Sequence, residues 1–203
     1  MSKKPLVVYI GHKRRTGKDT FAKLLAESLK EDGVTTETVA FTDSLKDHLS
    51  HLTDLTPEEM DIEKNNNTWF KCLRRKTLVF LGKVFKTPIV LINRELLINY
   101  GKGALAVHGS LLINHTRKRY EASKADVFII TDFRLPDEYF TDGITVKVVR
   151  NKKDLDVSDR SYTEIALEAL RFNHIVYNYG SLYDLDIEAH MLKSTIMSRL
   201  RQK

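Results

Sequence analysis

The clearest regularity in the chain is a set of short apolar runs separated by stretches in which apolar residues recur at helical spacing. Leu6-Val7-Val8-Tyr9-Ile10 is almost wholly apolar, as a strand buried on both faces of a parallel sheet must be. It breaks at Gly11 into a basic loop, His12 to Lys18. From Thr20 the spacing becomes that of an amphipathic helix, with Phe21, Leu24, Leu25, Ser28 and Leu29 on one face and Gly33 as its stop. Residues 36–41 read as a second strand, 126–132 as the clearest buried strand, and 144–149 and 174–178 as two more. Helices are predicted over 104–124, 163–171 and 182–201. Strands alternating with helices imply parallel βαβ units and a three-layer α/β fold.

The stretch 42–103 departs from this rhythm. It holds a helix candidate at 44–52, a turn opened by Pro57, a polar Asn65-Asn66-Asn67 loop and a helix candidate at 93–100 ending at Gly101. Insertions on a rigid sheet commonly carry the specificity of a site. The organisation predicted is one domain, with a core of 1–41 and 104–203, a mostly helical acceptor-binding insertion at 42–103 and a short polar lid at 150–162.

Composition narrows the class. A chain of 203 residues, 42% hydrophobic and 30% charged, has the make-up of one globular domain rather than of a disordered segment. No apolar run approaches the ~18 residues of a membrane span, and the N-terminus lacks the apolar stretch of a signal peptide, so a cytoplasmic setting is expected. The single cysteine, Cys72, allows no intramolecular disulfide and no cysteine-built metal site, and fits a reducing compartment. A net charge of +6 points to an anionic partner. The basic clusters are Lys13-Arg14-Arg15, Arg74-Arg75-Lys76 and Arg117-Lys118-Arg119, and only the first adjoins a motif.

That motif is Gly11-His12-Lys13-Arg14-Arg15-Thr16-Gly17-Lys18-Asp19-Thr20. It follows a predicted strand and opens a predicted helix, the context in which backbone N–H groups hold phosphate oxygens. In this reading Arg15, Thr16, Gly17, Lys18, Asp19 and Thr20 hold the donor phosphates, with Lys18 on the β- and γ-phosphates. The spacing departs from G-x-x-x-x-G-K-[ST]. His12 stands at the first-glycine position, with four residues between it and Gly17, and Gly11 lies one position earlier; Asp19 replaces the hydroxyl that usually ligates magnesium. Asp19 is the metal candidate, and Thr20 a phosphate donor. The bland alternative is a basic turn with a chance Gly-Lys pair.

The strand 126–132 ends in a carboxylate, Asp132, at the sheet edge where α/β folds bind ligands. Arg134 follows with the same side-chain alternation, as a transition-state cation or a clamp on an acceptor phosphate, and Glu138 lies beyond Pro136. Arg150 closes a strand and begins the lid, whose closure would exclude water. Lys46 and Arg94 are isolated cations of the insertion. The histidines show no ligand spacing, so magnesium is expected to arrive with ATP.

Four segments in order resemble the phage-type deoxynucleoside monophosphate kinases. They are Lys13-Arg14-Arg15-Thr16-Gly17-Lys18-Asp19-Thr20; Phe41-Thr42-Asp43-Ser44-Leu45-Lys46-Asp47; Arg94-Glu95-Leu96-Leu97 through Gly101; and Ile130-Thr131-Asp132-Phe133-Arg134-Leu135-Pro136-Asp137-Glu138. A weaker echo covers Tyr162-Thr163-Glu164 and Asn178-Tyr179-Gly180-Ser181-Leu182. The resemblance implies a P-loop kinase fold, ATP and Mg²⁺ as cofactors, and a (deoxy)nucleoside 5′-monophosphate as acceptor. It implies that Gly17, Lys18, Asp19 and Thr20 hold the donor phosphates and that Arg14, Lys46, Arg94, Asp132, Arg134 and Glu138 surround the acceptor. Asn178 and Gly180 would lie against the donor adenine, and Lys18, Asp132, Arg134 and Arg150 would serve the transfer. His12 stands where the family has glycine, Ile98 where it has glutamine, and 55–88 matches no family segment. The setting implied is cytoplasmic, the host's if viral, with no nucleic acid or membrane partner and a homodimer left open. The rival readings are a P-loop kinase with another phosphorylated acceptor such as phosphomevalonate, a basic nucleic-acid-binding protein with a vestigial nucleotide site, and an ATP-driven switch.

Overall fold

The computed structural model describes residues 4–11, 13, 15–44, 46–47, 110–150, 166–167 and 170–202. The chain divides into two compact units, residues 1–41 with 113–203 and residues 42–112. The first contains β1 (Leu6–Gly11), α1 (Lys18–Glu31), β2 (Thr36–Val39), most of α2 (Leu111–Ala122), β3 (Val127–Phe133), β4 (Gly143–Val149), β5 (His174–Tyr177) and α3 (Leu182–Gln202). A single 3-10 turn, Pro136–Glu138, follows β3.

The five strands form one sheet in the order β2-β3-β1-β4-β5, and every pairing is parallel. All six residues of β1 are buried, which is why that strand reads as an unbroken apolar run. Alternation sorts its side chains. Leu6, Val8 and Ile10 join Val127, Ile129, Ile144, Val146 and Val148 in a core closed by α1 and α3. Tyr9 and Phe128 serve the opposite layer, where the Tyr120 ring of α2 packs edge-on to Phe128 at 5.7 Å between centroids. Helices therefore cover both faces, and the fold is a three-layer α/β sandwich.

The helix boundaries follow from local chemistry. In α1, Phe21, Ala22, Leu25, Ser28 and Leu29 are buried and Leu24 is partly so, the face expected from the spacing. Gly33, at φ +74°, ends the helix, its N–H donating to the Lys30 carbonyl while the Val34 N–H donates to that of Leu29. The left-handed residue lets the chain turn back onto the last carbonyls. At the start of α3, Ser181 and Asp184 exchange hydrogen bonds, the Ser181 N–H to Asp184 Oδ2 at 2.7 Å and the Asp184 N–H to Ser181 Oγ at 3.3 Å. This is a capping box. The Ser-x-x-Asp spacing that encodes it stands in the sequence.

Several boundaries differ from the sequence-based expectation. β2 stops at Val39, because the Phe41 N–H bonds the Asp132 carboxylate instead of a neighbouring strand. Helix α2 begins at Leu111 after a turn at Ser110, and 104–109 lie outside the described residues. Over 163–171 only Ala166, Leu167, Leu170 and Arg171 are described, and they form a turn, a bend and irregular chain rather than helix. There Leu167 is buried close to Gly11 and Phe133, and the Leu170 N–H closes the turn on the Leu167 carbonyl. Most of the expected lid at 150–162 and most of the insertion lie outside the described residues. In the second unit, Asp43, Ser44, Lys46 and Asp47 are helical, and the Lys46 ammonium lies 3.9 Å from the Asp43 carboxylate. Among the described residues no helix is long and apolar enough to cross a membrane.

Candidate active site

Sheet topology picks out one place. From β1 the chain runs to β2 and returns through β3 on one side of β1, then crosses to β4 and β5 on the other. The carboxyl end of β1 is therefore the switch point, where neighbouring connections diverge and leave a crevice. The basic loop sits there.

Gly11 ends β1 with no room for a side chain. A Cβ there would lie 2.7 Å from the Phe133 carbonyl oxygen of β3 and 3.2 Å from Leu167. The loop thus begins at a glycine that close packing demands, one position earlier than the standard spacing. Arg15 adopts φ +58° and Gly17 φ +93°, so the backbone reverses twice within three residues. Gly17 is the N-cap of α1 and supplies no side chain to the helix end. The first N–H groups of a helix have no intrahelical acceptor, and together with the helix dipole they favour an anion.

Lys18 is buried at 7% exposure. Its ammonium donates to the Lys13 carbonyl and lies 3.5 Å from Thr16 Oγ1, while the Thr16 hydroxyl donates to the same carbonyl at 3.1 Å. The lysine is folded back over its own loop, with loop oxygens as acceptors. Two residues from other strand ends hold the loop in place. Asn178, just after β5, donates from Nδ2 to the Thr16 carbonyl at 2.9 Å. Arg150, just after β4, donates from Nη1 to the Arg15 carbonyl at 3.3 Å. Asp19 and Thr20 are exposed on the first turn of α1.

On the other side of β1, β3 delivers the second group. Asp132 Oδ1 accepts the Phe41 N–H at 2.7 Å, so part of this carboxylate fixes the chain leaving β2. Glu138 Oε2 accepts the N–H groups of Arg134 and of Leu135, the latter at 2.9 Å. Burial pushes the Glu138 carboxyl up to about 7, with the neighbouring Asp132 adding to the rise and the two N–H donors and Arg134 opposing it. Arg134 Nε is buried with no hydrogen-bond partner. A buried guanidinium donor without an acceptor is costly, and an anionic ligand would relieve it.

The candidates are thus distributed unevenly. Arg15, Thr16, Gly17, Lys18, Arg150 and Asn178 meet at the loop, while Asp132, Arg134 and Glu138 cluster at the end of β3. Gly180 lies against the Asp184 carboxylate that caps α3. Lys46 belongs to the second unit, and Arg14 and Arg94 lie outside the described residues. The clamps on the Arg15 and Thr16 carbonyls carry no sequence signal, since any donor reaching from β4 or β5 could make them.

No family model and no curated protein matches the chain. Among solved structures it is similar to one titled "Crystal structure of APE1195", at 11% identity over 97% of both chains with a TM-score of 0.44. It is also similar to an unliganded sugar kinase from Janibacter sp. HTCC2649, at 12% identity over 98% of both chains with a TM-score of 0.42. Likeness at this level carries no weight for function. The class is defined by the chain's own architecture, a parallel three-layer α/β sheet with a glycine- and lysine-bearing loop at its switch point.

Proposed function

We propose that the protein is a phosphotransferase that moves a phosphoryl group from ATP to the phosphate of a (deoxy)nucleoside 5′-monophosphate. The observation that carries this reading is the buried Lys18 at the start of α1, set at the switch point of the sheet within a glycine-bounded loop. Such a loop suits a polyphosphate, because an uncapped helix N-terminus and an ammonium converge there. The ordered resemblance of the β1 loop and the β3 segment to deoxynucleoside monophosphate kinases supplies the acceptor class.

ATP, when bound, supplies the phosphoryl group and brings magnesium with it. Lys18 would hold the phosphate oxygens in place of its loop acceptors, and Asp19 on the same turn would offer the cation a carboxylate. Arg134 offers its unpartnered Nε–H to the acceptor phosphate, whose charge would otherwise repel the donor. Glu138 fixes the backbone from which Arg134 projects. Asn178 and Arg150 hold the loop carbonyls, so that loop and lysine are positioned before the transfer. Catalysis on this plan is positioning and electrostatics, with no covalent enzyme intermediate.

The test is ADP release from ATP·Mg with dGMP, dTMP, dCMP, dAMP and their ribose counterparts, beside phosphomevalonate and a no-acceptor control. Nucleotide-dependent turnover is expected, and Lys18→Ala should lower kcat by about 10²–10³. A folded Lys18→Ala variant with undiminished turnover rejects the loop assignment. Turnover with phosphomevalonate alone rejects the nucleotide acceptor. Nucleic-acid binding that weakens steeply with salt and ignores Lys18, without any turnover, would favour the nucleic-acid rival.

A further inference from the structure

Three ionisable side chains meet at the end of β3, and their charges do not balance. Asp132 Oδ1 accepts the Phe41 N–H at 2.7 Å, which anchors one carboxylate where the chain leaves β2. Arg134 follows two residues on. Pro136 then opens a 3-10 turn that brings the chain back on itself. The Glu138 N–H donates to the Leu135 carbonyl at 3.0 Å, and Glu138 Oε2 accepts the Arg134 and Leu135 N–H groups in return. This reciprocal bonding pins the Glu138 carboxyl to the backbone of Arg134 itself.

Yet the guanidinium pairs with neither carboxyl. Among the described residues Arg134 makes no ion pair, and its Nε is buried without a hydrogen-bond partner. The donor is left for an oxygen from outside the protein. With both carboxyls ionised, two negative charges would stand against one positive charge where a dianionic phosphate has to sit, and the surplus would repel it.

We propose that Glu138 takes up a proton as the acceptor's phosphate binds at Arg134, so that a neutral carboxyl stands beside the incoming anion. The inference rests on the reading that Arg134 meets the acceptor phosphate. Hydrogen bonding permits the change. Oε2 keeps its two N–H donors while the proton, drawn from solvent, sits on Oε1, so the Arg134 backbone stays in place. The surroundings of Glu138 favour it as well. Burial raises its carboxyl to about 7, and the neighbouring Asp132 adds to the rise against the two N–H donors and Arg134. Asp132 and Arg134 are the charged groups that act on it, and Asp137 of the same turn is exposed. A phosphate at Arg134 adds negative charge beside Glu138 and pushes the carboxyl further the same way, by about one unit or more at such range. Glu138 is thus a positioning residue whose charge adjusts to the ligand. Acceptor affinity is greatest below the free protein's value of about 7 and declines as pH rises through the value in the complex, about one unit higher.

Calorimetric titration of the full chain with the nucleotide of dGMP, dTMP, dCMP and dAMP that gives the highest turnover, in two buffers of different ionisation enthalpy, reads the proton directly. Above pH 7 the nucleotide's phosphate is already dianionic, its second pKa being about 6, so uptake there reports the protein. Wild type should take up about 0.5 proton per nucleotide at pH 7.5, and its acceptor KM at saturating ATP should rise about fivefold between pH 7 and 9. In Glu138→Gln the amide oxygen accepts the same two N–H bonds and carries no charge. That variant should bind without uptake and hold a level KM across the window, which a merely structural role for Glu138 would not produce. Wild-type uptake is read without any variant, so the test stands even if Glu138→Gln fails to fold. Nucleotide binding by wild type without uptake overturns this inference and leaves the phosphotransferase reading intact, as does uptake that persists in Glu138→Gln. Neither binding nor turnover with any nucleotide overturns both.

Discussion

Gly17→Ala probes the loop with the smallest change available. Gly17 sits at φ +93° and ψ 20°, where an L-residue loses about 1–2 kcal/mol to contact between its Cβ and the backbone. A second term comes from tertiary structure. The new methyl would stand 2.4 Å from Asn178 Nδ2, so Asn178 must retreat and release its 2.9 Å bond to the Thr16 carbonyl. A net hydrogen bond contributes about 1 kcal/mol. The sum is about 2–3 kcal/mol, or roughly 5–10 °C in Tm for a chain of this size. Urea and thermal unfolding measure it. Asn178→Ala alone should cost about 1 kcal/mol and open the space, so the double variant should be less destabilised than the two singles added. A coupling of about 1 kcal/mol in that cycle would report the contact itself. If Gly17→Ala unfolds within about 0.5 kcal/mol of wild type, neither the left-handed backbone nor the Asn178 clamp is as described.

Two further substitutions test the neighbouring strand ends. Gly11→Ala drives a Cβ to 2.7 Å from the Phe133 carbonyl, a backbone atom that cannot rotate away; a loss of about 1–3 kcal/mol in urea unfolding is expected, and an unchanged midpoint would reject the close approach. Glu138 holds its proton more tightly folded, to about 7, than the ordinary 4.5. The folded state therefore binds more protons between those values, so this group's stabilisation is full below pH 4.5 and lost as pH rises through 7. Glu138→Gln should remove that slope between pH 4.5 and 7, and a variant whose stability follows wild type across the window would show that Glu138 titrates normally.

How much of this was legible beforehand depends on the range of the forces involved. The five strands, α1 with its Gly33 stop and α3 all follow from periodicity, because burial on a sheet or against a helix imposes a repeat of two or of three to four on nearby residues. Gly17 and Lys18 were legible for a related reason. A loop between a strand and the helix that follows it is made of consecutive residues, so its signature is contiguous. The early end of β2 was not legible, since it depends on Asp132 capturing the Phe41 N–H across 91 positions.

Lys18 was readable as a loop lysine, but its burial against the Lys13 carbonyl was not. Asn178 is expected near a donor base, and the fold adds a tie that the sequence does not show, its hydrogen bond to the Thr16 carbonyl. Arg150 is expected at the start of a lid, and the fold adds a contact that the sequence does not show, its hydrogen bond to the Arg15 carbonyl of the loop. Nothing in one strand-end residue encodes the carbonyl that another strand end will bring to it. Local pattern therefore determined the elements and the loop, which interactions within a few residues enforce. Strand order, the switch point at β1, the side chains clamped around the loop and the rise of the Glu138 carboxyl arose only on packing, because each is a relation between segments far apart in the chain.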